Sequence, residues 1–175
     1  MKKTLASLAA LPLLAAGTLT TVLAAAPAYA DTVTCTGTLG AVSLDDDVVV
    51  PSGATCRLVG TRVDGNVKVA SGATLVASGV RVDGDIQGEG FLRVVVKPRA
   101  GDRSRVGGNI QLEDGGKGRI VRTVVDGDIQ LDDNRRFVVR RNVVDGNLQC
   151  EGNSPRPRGV GNRVSGDKEG QCRRL

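Results

Sequence analysis

Apolar and polar positions alternate along this chain in short stretches, break at glycine, and resume at a fixed interval. The type stretch is Val63-Asp64-Gly65-Asn66-Val67-Lys68-Val69. It returns as Val82-Asp83-Gly84-Asp85-Ile86-Gln87, Val106-Gly107-Gly108-Asn109-Ile110-Gln111, Val125-Asp126-Gly127-Asp128-Ile129-Gln130 and Val144-Asp145-Gly146-Asn147-Leu148-Gln149. An earlier copy, Leu44-Asp45-Asp46-Asp47-Val48, lacks the glycine, and a later one, Val164-Ser165-Gly166-Asp167, loses the pattern after the aspartate. The anchors Leu44, Val63, Val82, Val106, Val125, Val144 and Val164 lie 19, 19, 24, 19, 19 and 20 residues apart. A period near twenty marks a solenoid.

The register has a second, independent support. Val48-Val49-Val50-Pro51-Ser52-Gly53-Ala54-Thr55-Cys56 returns 19 residues later as Val67-Lys68-Val69-Ala70-Ser71-Gly72-Ala73-Thr74-Leu75. Each copy alternates and then breaks at Ser-Gly, which is strand followed by turn. Helical spacing is absent after the first thirty residues. The pattern predicts an all-β fold, a single-stranded parallel β-helix of about seven coils with repeats of 19–20 residues.

Within a coil, alternation sends Val63, Val67 and Val69 inward and Asp64 and Lys68 outward, with Gly65 and Asn66 at a corner. The inner row four residues after each anchor is then Val48, Val67, Ile86, Ile110, Ile129 and Leu148. Another side draws on Leu58, Ala77, Ile120 and Val139, with Phe137 level with Leu75. The 24-residue step carries five extra residues, placed at Lys97-Pro98-Arg99-Ala100-Gly101-Asp102 as a surface loop.

Residues 1–30 read as a secretory signal peptide. Lys2 and Lys3 precede an apolar run from about Leu5 to Leu23, and Ala28-Tyr29-Ala30 is a small-x-small cleavage signal before Asp31. Residues 31–175 form one β-helix domain without a further membrane span, and the expected location is extracellular, secreted or at the cell surface. Removing the leader takes away Lys2, Lys3 and the only Tyr, and leaves a formal net charge of +3. The domain has no His or Trp, and its aromatics are Phe91 and Phe137. Histidine bases, His-ligated metals and aromatic stacking platforms are thereby excluded, and no cofactor is implied.

Four cysteines in an exported chain read as two disulfides. Cys35 and Cys56 are 21 residues apart and Cys150 and Cys172 are 22 apart, about one repeat each. Directly stacked residues are therefore expected to pair, Cys35 with Cys56 and Cys150 with Cys172, stapling both ends of the rod where a terminal coil has a neighbour on one side only.

Outward rows carry the remaining chemistry. Asp47, Asn66, Asp85, Asn109, Asp128, Asn147 and Asp167 alternate three residues after each anchor, an arrangement that separates the carboxylates and offers an Asn amide to both neighbours. One residue after the anchor lie Asp45, Asp64, Asp83, Gly107, Asp126, Asp145 and Ser165. Arg62 and Arg81 are placed to pair with Asp64 and Asp83, whereas Asp126 and Asp145 have only valines beside them. Gln87, Gln111, Gln130 and Gln149 form an amide ladder. Residues 31–90 carry 4 Lys/Arg against 8 Asp/Glu, and residues 91–175 carry 18 against 11. The later basic residues gather on another side, and Arg119, Arg122, Arg135, Arg136, Arg140 and Arg141 are the candidate anion-binding residues.

The iterated Val-Asp-Gly-Asn/Asp-Ile/Val-Gln pattern over Leu44 to Gln149 resembles that of the bactofilins, bacterial polymer-forming β-helix proteins. The chain departs from them in its leader and its stapled ends, and in those respects is similar to small secreted β-solenoids of high-GC Gram-positive bacteria. The resulting expectation is a non-catalytic scaffold or binding module for anionic wall polymers or acidic polysaccharide. Nucleic acid is the weakest partner, for want of stacking aromatics. The alternatives are a self-assembling filament subunit, leaving monomer or head-to-tail oligomer open, and a Ca²⁺-dependent polysaccharide lyase using Asp126 and Asp145 with Arg122 or Arg141.

Overall fold

A computed structural model describes residues 32–175, and residues 1–30, expected from the sequence to be a signal peptide, lie outside them. The described residues are all-β and contain no helix; every coil contributes up to three short strands. The first coil holds β1 (Thr32–Thr34), β2 (Thr38–Leu39) and β3 (Ser43–Leu44). The second holds β4 (Asp47–Val50), β5 (Thr55–Val59) and β6 (Arg62–Val63), and the third β7 (Val67–Val69), β8 (Thr74–Ser78) and β9 (Arg81–Val82). The fourth, with β10 (Ile86–Glu89), β11 (Arg93–Lys97) and β12 (Ser104–Val106), is the long one. The fifth comprises β13 (Ile110–Glu113), β14 (Lys117–Val121) and β15 (Thr123–Val125), and the sixth β16 (Ile129–Asp132), β17 (Arg136–Arg140) and β18 (Val143–Val144). A seventh coil has only β19 (Leu148–Glu151) and β20 (Arg163–Val164), after which β21 (Lys168–Gly170) begins another turn.

Like strands stack into three parallel sheets. Sheet A runs β1-β4-β7-β10-β13-β16-β19-β21, sheet B runs β2-β5-β8-β11-β14-β17, and sheet C runs β3-β6-β9-β12-β15-β18-β20. The fold is therefore the expected parallel solenoid of about seven turns. Its interior is filled by in-register aliphatic columns. Val48, Val67, Ile86, Ile110, Ile129 and Leu148 line sheet A, and Leu58, Ala77, Val96, Ile120 and Val139 line sheet B; all are fully buried. β-Branched residues suit such columns because their restricted χ1 packs against the identical position one coil away.

Two phenylalanines interrupt the small-residue rhythm, and glycines make room for them. Phe91 and Phe137 meet edge to face with centroids 6.2 Å apart. A Cβ at Gly115 would lie 2.0 Å from the Phe91 ring, and one at Gly118 would lie 2.0 Å from that of Phe137. These glycines are volume complements rather than turn residues.

The corners are held by polar ladders. Asp47 Oδ1 accepts the Asn66 N–H at 2.7 Å, Asn66 Oδ1 that of Asp85 at 2.9 Å, and Asp85 Oδ1 that of Asn109 at 2.6 Å; the pattern continues through Asp128 and Asn147 to the Asp167 N–H. The expected side-chain donation by the amides occurs once and to one neighbour, from Asn66 Nδ2 to Asp47 Oδ1 at 3.0 Å; along the rest of the ladder the side-chain oxygens act as acceptors of backbone N–H groups. Each side-chain oxygen caps a backbone donor of the next coil, a task Asn and Asp perform equally, and alternation spaces the charge. A second column is buried: Thr61, Val80, Ser104, Thr123, Asn142 and Asn162, two residues before successive anchors. Asn142 accepts the Thr123 N–H at 3.0 Å and donates to Ile120 O at 2.9 Å, and Asn162 accepts the Asn142 N–H at 3.1 Å. A third, Asn134 and Asn153, ends on Gln171. Among the described residues no buried side-chain nitrogen or oxygen lacks a partner.

Both disulfides pair as expected, Cys35 with Cys56 and Cys150 with Cys172, with Cα–Cα distances of 5.4 and 5.3 Å. They do not join stacked residues. Cys150 stacks on Gly170, two residues before Cys172, and Arg57, next to Cys56, pairs with Thr38, three residues after Cys35. Neighbouring strands stand about 4.8 Å apart, whereas disulfide Cβ atoms need about 3.8 Å, so each bond reaches diagonally. Beyond the second disulfide the chain turns back: Leu175 packs on the core, and the Lys168 ammonium donates to Asn162 O at 3.1 Å and to Leu175 O.

Candidate functional site

The three outward faces differ in charge because alternation exposes a different set of residues on each. On sheet C, Arg62, Arg81 and Arg105 each answer an aspartate. Arg62 donates to Asp64 at 2.9 Å and to Asp83 of the next coil at 3.0 Å, and Arg81 donates to Asp83 at 3.2 Å. Asp126, expected to have only valines nearby, is reached diagonally by Arg105 at 3.2 Å. That pairing sets an arginine beside one of the two aspartates considered from the sequence for a Ca²⁺ site.

Sheet A presents amides and carboxylates. Gln87 donates to Gln111 at 3.3 Å and Gln111 to Gln130 at 3.1 Å; Gln149 stacks in the same row. Beside them Glu89, Glu113, Asp132 and Glu151 are in register. Burial raises the Asp132 carboxyl above its ordinary value, and the Glu151 and Asp133 charges push the same way, against the Glu151 N–H that it accepts. At the head of the Asx ladder Asp47 shifts oppositely. The Lys68 ammonium at 2.7 Å and the Asn66 N–H hold its carboxyl low.

Sheet B is cationic. One outward row runs Thr55, Thr74, Arg93, Lys117, Arg136; the next runs Arg57, Val76, Val95, Arg119, Val138, Arg158; Lys97 and Arg140 flank them. All eight of these cations are exposed, no carboxylate stands in these rows, and none of the eight takes part in an ion pair among the described residues. Val95, which faces outward, is only 5% exposed, because the aliphatic stems around it cover it. A groove of about 430 Å³ runs over Val76, Val95 and Val121 between Arg57, Arg93, Lys97 and Arg119.

Of the sequence-derived candidates, Arg119, Arg136 and Arg140 lie on this face. Arg135 sits at the corner leading into it, and Arg122 and Arg141 occupy the corner leaving it, both with left-handed backbone (φ 50° and 56°). Arg57 belongs to the face but stands in the acidic half of the chain, so its row and not its neighbourhood in sequence reveals it. The five extra residues form a hairpin, with Arg99 bridged to Asp102, that folds back along the same corner. A Cβ on Gly79 would lie 2.7 Å from that of Arg99, whose guanidinium reaches Gly60.

No protein-family model, no curated protein and no solved structure matches this chain. The class is thus defined by the fold itself, an all-β parallel solenoid with a disulfide near each end.

Proposed function

We propose that this protein is a non-catalytic extracellular β-solenoid that binds an extended polyanion, an anionic wall polymer or acidic polysaccharide, along the outward face of sheet B. The observation that carries the reading is the set of exposed, unpaired cations in register on a face without a carboxylate. Like charges stacked one coil apart repel, and a polymer carrying a charge at each step removes that repulsion while releasing counterions. Val76 and Val121, half-buried on either side of the covered Val95, offer apolar contact to the carbon faces of a sugar chain. Co-sedimentation with isolated wall polymer or a linear polyuronate at moderate salt tests it, and an unbound protein under those conditions would end the proposal.

Export follows from residues 1–30 and is in keeping with the disulfides. Protein recovered from the medium should begin at Asp31 by mass spectrometry; uncleaved chain retained in the cell contradicts export.

The bactofilin-like repeat and the acidic-to-basic polarity of the chain support a second reading, head-to-tail assembly, for which β1 leaves one edge of sheet A unpaired. The disulfide and the terminal turn at the other end oppose it. Sedimentation velocity decides between them: growth with concentration that salt reverses means assembly, and a constant monomer means a binding rod.

A further inference from the structure

Sheet B lacks its seventh strand. Pro155-Arg156-Pro157 occupies the place where that strand would lie, and the segment makes no ladder bond to β17. Pairing resumes only at Arg158, whose N–H donates to Phe137 O at 3.0 Å and whose carbonyl accepts the Val139 N–H at 2.9 Å. The displaced loop leaves a pocket of about 400 Å³ against β17, lined by Arg136, Arg156 and Arg158 with Val138 and Pro155. Strand alternation sends the Arg136 N–H back to Gly116 O and the Val139 N–H forward to Arg158 O. The Phe137 N–H therefore also faces forward, and no acceptor in the 152–158 loop takes it. Three arginines, none in an ion pair among the described residues, and the residue carrying this backbone donor line the pocket, with no carboxylate in the lining.

We infer that this gap in sheet B is a binding pocket for a single tetrahedral oxyanion group, a phosphate or sulfate. Guanidinium forks approaching from a strand and from a loop suit a group with several acceptor oxygens and more than one negative charge. The group can be a free ion or an ester on a polymer lying along the cationic face; only the second source rests on the function proposed above.

Titrating the purified, oxidised protein with inorganic phosphate and with sulfate, followed by amide and arginine side-chain NMR, tests the pocket. The expected result is a saturable shift at the Phe137 amide and at Arg156 and Arg158, weakened at least tenfold in R156Q, an exposed loop variant. Shifts that rise linearly, spread over all arginines and persist in R156Q would overturn it. R93Q/R119Q/R140Q leaves the pocket lining intact, so it should lose polyuronate binding and keep the phosphate response. Wild-type protein that answers phosphate but binds no polymer keeps the pocket and refutes the polymer-binding role; the converse refutes the pocket alone. A polymer bearing phosphate esters that outcompetes inorganic phosphate at Phe137 identifies the ester as the source. Equal competition per phosphate identifies the free ion.

Discussion

Replacing Arg93, Arg119 and Arg140 by glutamine removes three charges from sheet B and should change both the strength and the salt dependence of polyanion binding. The three side chains are exposed and make no ion pair among the described residues, so the described fold loses no partner. A linear polymer running across the strands meets Arg93, Lys117, Arg119, Arg136 and Arg140 in three consecutive coils. With about 0.7 counterions released per neutralised charge, as for flexible single-stranded polyanions, five contacts give a log K against log salt slope of about −3.5. The triple variant should show about −1.4 and, at 0.1 M salt, bind about 100-fold more weakly. The matched control is R62Q/R81Q/R105Q, which removes the same charge from sheet C, where each arginine already answers an aspartate. Its slope should stay close to the wild-type value. Fluorescence anisotropy with a labelled polyuronate at several salt concentrations provides the assay. Equal losses in both triples would mean that net charge, not the face, drives binding, and the reasoning would fail.

The packing of ring against glycine predicts non-additive stabilities. Phe137→Ala should cost about 3–5 kcal/mol in urea unfolding, as deleting a buried ring does; Gly118→Ala should also destabilise, yet the double variant should cost less than the sum, and simple additivity would mean that Phe137 and Gly118 do not share that space. Acid unfolding should show two opposed carboxylates. Asp47 is held low, so its contribution is present above the unfolded value of about 3.8 and is lost as pH falls through its folded value, whereas Asp132 is raised, so its ionised form penalises the fold at neutral pH and stability is regained as pH falls through its folded value towards about 3.8. D132N, which keeps an oxygen for the Glu151 N–H, should raise stability at neutral pH, and D47N should flatten the acid limb; a neutral-pH loss in D132N contradicts the assignment. Replacing either cystine by serines should cost about 3 kcal/mol in the chain-entropy model, and loss of the Cys150–Cys172 bond should also release the turn over the core, read as faster amide exchange at Leu175. Unchanged exchange there would mean that Lys168 and Leu175 hold the turn unaided.

What could be read from the sequence was whatever repeats at a single offset. The inner columns, the place of the inserted hairpin, the cysteine pairing and the Asx ladder all follow from counting from Val63, because in a solenoid a fixed offset is a fixed position in space. The buried column Thr61, Val80, Ser104, Thr123, Asn142 and Asn162 obeys the same rule, but its residues differ in type and so hid the capping of backbone donors by Thr61, Ser104, Asn142 and Asn162. Diagonal contacts were beyond such counting. The Arg105 to Asp126 pair and the reach of both disulfides join residues on different coils and in different rows, and side-chain length decides them. Charge was read along the chain, acidic half against basic half, whereas the structure sorts it by face. Hence Arg57 was missed, and Arg122 and Arg141 were drawn into a face they only border. The Pro155 and Pro157 pair was a visible signal that sheet B would lose a strand, though not that a cavity would open there.

The central claim, that sheet B carries the binding surface, is tested most directly by mapping a bound linear polyuronate on the isotope-labelled protein by NMR. The account predicts shifts at the side chains of Arg93, Lys117, Arg119, Arg136 and Arg140 and at the amides of Val76, Val95 and Val138, with the Gln ladder of sheet A and the ion pairs of sheet C unmoved. Shifts centred on either of those two faces, or spread evenly over all three, would contradict it.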